Sequence, residues 1–161
     1  EIYNKNGLCT HSIMMARGDK IFLEAYYEPF DKDFKHRMYS VTKSFVALGI
    51  GFLEQDGLIN LDDPIVKYFP DELKDQKDEN FKNQTIRHML MMSTAKTDRY
   101  WFASRPEDRV RFYFEHQGFV SRPSGTIFEY DSTGSFVLGA LVEKKYSTAS
   151  GFLLRKSSQF S

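Results

Sequence analysis

The spacing of apolar residues changes once along this chain, and that change limits the folds open to it. Two short segments, 12–16 and 21–27, have strand composition and flank the tight-turn string Arg17-Gly18-Asp19-Lys20. Glycine takes a positive φ without steric cost and aspartate tolerates it, so a β-hairpin is the expected product. The same string contains Arg-Gly-Asp, an adhesion tripeptide, but turn chemistry alone accounts for those residues. From residue 41 onward the spacing is helical. Val41, Phe45, Leu48 and Phe52 form one row, and Val46, Ile50 and Leu53 another. The chain therefore reads as one hairpin followed mostly by helices.

Within 41–55, Gly49 and Gly51 each cost a helix about 1 kcal/mol relative to alanine, which points to close packing against another element. Gly57 is placed to end that helix. Asp62-Asp63-Pro64 opens a short helical piece ending near Phe69-Pro70, its two carboxylates serving a helix start rather than acid–base chemistry. The polar stretch 71–83 reads as a solvated linker. Thr85 is placed to cap a helix over 86–92. Ser104-Arg105-Pro106-Glu107 fits a capping box leading into a helix over 108–117, with Gly118 as its stop. Pro123-Ser124-Gly125 is a turn, 127–130 is extended, and 134–145 is helical with Val137, Leu138, Leu141 and Val142 as its apolar face.

Composition excludes several functions. The chain has 161 residues, about one domain's worth. Its 22 basic and 22 acidic residues cancel, so nothing drives it electrostatically onto nucleic acid. A single cysteine, Cys9, excludes an internal disulfide framework and a cysteine-built zinc site, and suits any compartment. His11, His36, His88 and His116 are scattered, with no metal-binding spacing, so neither metal nor cofactor is expected. No apolar run reaches the ~18–20 residues of a membrane span. Glu1 stands where a start methionine would, without a leader-like run after it, so a processed or cut start is expected. Aromatics reach 16% of the chain, enough for a real core. Tyr100-Trp101-Phe102 and Phe112-Tyr113-Phe114 suit core packing better than a substrate cleft, although pockets also favour aromatics. His88, with Met89, Met91 and Met92, is expected in a packed helix.

The chemistry-bearing stretch is Met38-Tyr39-Ser40-Val41-Thr42-Lys43-Ser44-Phe45. Ser40 stands where extended chain becomes helix, and Lys43 follows one turn later on the same face. A serine hydroxyl is a poor nucleophile at neutral pH and needs a base beside it. Lysine serves if burial or a neighbouring cation lowers its pKa. The helix start adds N–H groups and partial positive charge that favour a developing oxyanion. Alone, this spacing fits an N-capping serine and a solvated lysine equally well. A second element strengthens it. Tyr130 ends an extended segment, and Ser132 starts a helix two residues later. Tyr130 is suited to shuttle a proton, because a phenol beside Lys43 has its ionised form favoured. Ser132 is suited to orient Lys43 or bind substrate.

With these residues the chain resembles the β-lactamase-related serine hydrolases: class C β-lactamases, D-alanyl-D-alanine peptidases, family VIII esterases and 6-aminohexanoate-dimer hydrolases. The stretches 37–45, 53–64, 68–70, 85–93 and 128–130 carry the likeness, in order, over about residues 10 to 144. The resemblance implies an α/β (α+β) fold of β-lactamase/transpeptidase type, present in part: the N-terminal hairpin of an antiparallel sheet plus the mainly helical region. It implies Ser40 as acylated nucleophile, Lys43 as its activating partner and Tyr130 as second acid/base. Ser132 takes the polar place usually held by asparagine, and the Ser40 backbone N–H forms half of an oxyanion hole. The implied substrate is a small ester, amide or β-lactam. The Tyr130-x-Ser132 variant looks nearer the esterase and amide-hydrolase branches.

The family's third motif, K-T-G or H-x-G on a late strand, is missing. Lys96-Thr97-Asp98 lies in a polar loop and does not qualify. Ala95 stands where relatives often carry glycine. The expectation is one incomplete domain over 1–161, with a hairpin at 10–30, a helical region at 40–145 and an atypical tail at 146–161. A lone hairpin is marginal and its open edge invites association. The segment by itself is expected to be inactive. The alternative is a noncatalytic relative that binds or senses.

Overall fold

The computed structural model describes residues 7, 9–72, 77–95, 106–115 and 121–146. They fall into two compact units, Glu1–Tyr39 and Ser40–Ser161.

The first unit is the hairpin and its return segment. Strand β1 (Ser12–Arg17) pairs antiparallel with β2 (Lys20–Tyr26), from Ser12 opposite Tyr26 to Arg17 opposite Lys20, with an irregularity at Met15/Ala16. Gly18 turns the chain at φ +61°, a conformation glycine adopts freely. Met14, Met15, Ile21 and Phe22 are exposed, so successive apolar residues on both strands face solvent. Beyond β2 the chain doubles back, and His11 stacks on Phe30 with ring centroids 3.9 Å apart. His11 Nδ1 also lies 2.6 Å from His36 Nε2. These two histidines, scattered in the sequence, are thus neighbours in space. Among the described residues no cluster of three metal-ligating side chains forms.

The second unit is helical. A 3-10 turn at Tyr39–Val41 leads into helix α1 (Thr42–Gln55). The two apolar rows of this helix meet different fates. Ile50 and Leu53 are fully buried, whereas Val41, Phe45 and Leu48 are exposed. Gly49 is pressed against α5 (Ser132–Lys145): a Cβ there would lie 3.1 Å from Val142 Cγ2. The close-packing expectation fails for Gly51, where a Cβ would meet nothing within 4 Å. At the far ends of the same two helices, Tyr146 donates a 2.7 Å hydrogen bond to Asp56. Burial, and then that carboxylate, push the Tyr146 phenol up to about 12.

After α1 the expected short helix is a 3-10 segment, Ile65–Tyr68, bracketed by a Pro64–Thr85 β-bridge. The stretch expected as a solvated linker contains helix α2 (Glu79–Lys82), because Asp78 caps it by accepting from Asn80 and Phe81 N–H. Its Phe81 is fully buried and anchors the segment. Helix α3 (Ile86–Leu90) has a capping box in which Thr85 accepts from the His88 N–H and His88 accepts from the Thr85 N–H. It ends before residue 92 because Met92 takes a left-handed φ of +52°. Helix α4 (Arg109–Glu115) and α5 complete the order. Residues 127–130 join no strand. The expected cap at Ser104, the Tyr100-Trp101-Phe102 cluster, the Lys96-Thr97-Asp98 string, His116 and the tail beyond 146 lie outside the described residues.

One core joins these elements. Phe81, Tyr113 and Phe114 meet edge to face or tilted, with centroids 5.4–5.8 Å apart, a preferred arrangement for aromatic rings. Tyr113 and Phe114 are thus core residues, as expected, and Phe112 packs against the core. Ile65, Ile86, Met89, Val137, Leu138 and Leu141 belong to the same core. A polar strut crosses this apolar interior. Gln84 is fully buried, donates to the Tyr113 hydroxyl at 2.8 Å and accepts from the Ala95 N–H at 2.9 Å. Burial raises the Tyr113 phenol far above its ordinary range.

Candidate active site

Ser40, Lys43 and Tyr130 come together within the second unit. Ser40 sits in the 3-10 turn that begins α1, preceded by Tyr39 at φ +45°, a left-handed conformation costly for a residue with a Cβ. Backbone strain of this kind collects at functional sites. Lys43, one helical turn on, donates to Ser40 Oγ at 3.3 Å. Tyr130 reaches the same oxygen from the other side, its hydroxyl 2.6 Å from Ser40 Oγ. The Lys43 ammonium also stands 5.0 Å from the centre of the Tyr130 ring, within cation–π range.

The electrostatics follow from that geometry. Tyr130 is held below the ordinary phenol range, first by its hydrogen bond to Lys43, then by that to Ser40, with smaller help from Ser132. Its phenolate is therefore more accessible near neutral pH than that of an isolated tyrosine. Ser132, half-buried in the first turn of α5, is thus the fourth member of the group. A groove of about 320 Å³ between α1 and α5 opens beside these residues and is lined in part by Lys43, Val46, Ser132 and Phe136.

Tyr130 is delivered by a loop that has little regular structure but many anchors. The loop 121–130 is bonded along the segment 92–95: Arg122 N–H to Ala95 O at 3.0 Å, Gly125 N–H to Ser93 O at 2.7 Å, and Glu129 N–H to Met92 O at 2.8 Å. Arg122 pairs with Glu129 at 2.8 Å and closes the loop on itself. Gly125 turns the loop at φ +83°, where a Cβ would lie 2.7 Å from His88 Nε2. Gln84, through Ala95, ties this scaffold to the core. These supports are side chains and carbonyls from distant positions. The stretch 85–93, Ala95 and the Pro123-Ser124-Gly125 turn stand out in the sequence, but the pairing of loop 121–130 with 92–95 does not.

Comparison with known proteins shows the family and the fold. The Beta-lactamase family model matches residues 7–153. Over 63 residues the chain is 32% identical to the 6-aminohexanoate-dimer hydrolase of Paenarthrobacter ureafaciens, which covers 39% of this chain and 16% of that protein. A class C β-lactamase solved with cefoxitin superposes with a TM-score of 0.70 at 18% identity, covering 90% of this chain and 42% of the other. The D-amino acid amidase of Ochrobactrum anthropi SV3 superposes with a TM-score of 0.63 at 23% identity, covering 84% and 42%. The chain belongs to the Beta-lactamase family and has the β-lactamase/transpeptidase-like fold in part, its helices accompanied by a two-stranded antiparallel sheet. It spans less than half the length of the solved relatives it matches. No helix among the described residues is long and apolar enough to cross a membrane.

Proposed function

We propose that the protein containing this chain is a serine hydrolase that cleaves a small ester, amide or β-lactam through an acyl-enzyme. The observation that carries the reading is the single oxygen, Ser40 Oγ, contacted by both Lys43 and Tyr130. In its ionised form Tyr130 takes the Ser40 proton as Oγ attacks the substrate carbonyl. Lys43 favours that ionised form and keeps its ammonium beside the reacting oxygens. The Ser40 backbone N–H, at the start of α1, serves as one half of the oxyanion hole, as the family resemblance implies. As the tetrahedral intermediate collapses, Tyr130 returns the proton to the leaving group and the Ser40 ester remains. Water then attacks that ester, gives its proton to Tyr130, and Ser40 Oγ recovers it as the acid product leaves. Ser132 supports Tyr130 and lines the substrate side of the group. No cofactor enters any step.

The proteins named above include a D-amino acid amidase and a 6-aminohexanoate-dimer hydrolase, which supports keeping an amide among the candidate substrates. The test is covalent labelling of the full-length protein with a fluorophosphonate, followed by peptide mass spectrometry. One adduct at Ser40, absent in Ser40→Ala, is expected. A full-length, folded protein that takes no adduct at Ser40 would instead be a noncatalytic relative.

A further inference from the structure

Asp131 lies between the two polar residues of the second motif, and its side chain points away from them into the protein. It is only 4% exposed. Its Oδ1 accepts from the Thr133 N–H at 2.8 Å and from the Thr133 hydroxyl at 2.6 Å, while Oδ2 accepts from the Thr94 hydroxyl at 3.3 Å. The first contact caps α5 and the last crosses to the segment after α3. Gly134 leaves room for this carboxylate, since a Cβ there would lie 2.8 Å from Asp131 Oδ2.

Tyr130 therefore sits between two anchors on one segment. On its N-terminal side the Glu129 N–H is bonded to Met92 O, and on its C-terminal side Asp131 is bonded to Thr94. The phenol itself is 55% exposed and gains little fixation from packing. A side chain reaching two partners in solvent relies on its backbone to aim it.

We infer that Asp131 is a positioning residue: with Thr94 and Gly134 it clamps the backbone of Tyr130 and Ser132 so that the phenol meets Ser40 and Lys43. The inference rests on the serine-hydrolase reading, and the experiment separates the two. Second-order rates of Ser40 labelling by a fluorophosphonate are measured from pH 6 to 10.5 in the full-length protein. The variants are Asp131→Ala, Asp131→Asn, Thr94→Val and Gly134→Ala, with Phe81→Leu as a control that lowers stability away from the loop.

At pH 7, Asp131→Ala is expected to slow labelling by about 100-fold. Its alkaline midpoint should move toward the ~10 of a free phenol. Asp131→Asn keeps an acceptor for the Thr133 N–H and should stay within about fivefold of wild type. Thr94→Val and Gly134→Ala should shift the midpoint the same way by less, and they carry the test if Asp131→Ala does not fold. The clamp is refuted if these variants slow labelling only as Phe81→Leu does, with an unmoved midpoint, or if Asp131→Ala labels like wild type. Absence of any wild-type adduct at Ser40 would instead refute the serine-hydrolase reading.

Discussion

The hydroxyl of Tyr130 stands 2.6 Å from Ser40 Oγ, although ninety positions separate the two residues in the chain. That contact gives a serine oxygen a phenol already biased toward its ionised form by Lys43.

A pH prediction follows. A base whose pKa is lowered becomes competent at lower pH, so Ser40 acylation should rise with pH and level off below the ~10 of free tyrosine. Lys43→Met removes the main cause of the lowering and should carry the midpoint upward as well as reducing the rate. Tyr130→Phe should abolish the limb and slow acylation by about 10²–10⁴-fold, the usual contribution of a general base. Stopped-flow acylation across pH 6–10.5 checks all three. An unchanged midpoint in Lys43→Met would show that another group is the base.

Helix α1 offers a comparison between two leucines five residues apart. Leu53 is fully buried, and truncation to alanine should cost about 2–5 kcal/mol from lost burial and the cavity left behind. Leu48 is 59% exposed, and Leu48→Ala should change the stability of this chain by about 0.5 kcal/mol or less. Urea unfolding of both variants measures the difference. Equal costs would mean that the exposed row is covered in solution.

Gln84 should be more important than its polar character suggests. Replacing it with leucine leaves both the Tyr113 hydroxyl and the Ala95 N–H without the partner they have now. Each such buried group costs about 1–3 kcal/mol. Gln84→Leu should therefore destabilise the chain more than Tyr113→Phe, which removes one hydroxyl and leaves one amide donor. Thermal unfolding of the two variants gives the order, and the reverse order would remove the strut from the account.

Gly125 shapes the loop that carries Tyr130. Gly125→Ala meets a left-handed backbone and a histidine ring at the same time. The backbone effect alone costs roughly 1 kcal/mol or more. His88→Ala in the same chain should relieve the clash but not the backbone strain, so the double variant should recover only part of the loss. Full recovery in an unfolding-based double-mutant cycle would assign the whole effect to the ring.

Local chemistry made much of this molecule readable in the residues alone. The hairpin follows from Gly18 and its flanking strands, α1 and α5 from their apolar spacing, and α3 from the Thr85 cap. Ser40 and Lys43 are adjacent by helical spacing, which needs no tertiary information. Helix α2 escaped because Asp71 to Asn83 looks solvated, and only the burial of Phe81 against Tyr113 and Phe114 makes it an anchored segment.

Tertiary packing decided the rest. Two equally apolar rows on α1 are indistinguishable by composition, and contact with α5 selects the Ile50–Leu53 row for burial. The meeting of Tyr130 with Ser40 depends on hydrogen bonds from loop 121–130 to Met92, Ser93 and Ala95. Backbone amides and carbonyls make those bonds, and every residue type except proline supplies both alike. Residue identity thus determined which groups have the chemistry, while the three-dimensional path of an irregular loop determined that they share one oxygen.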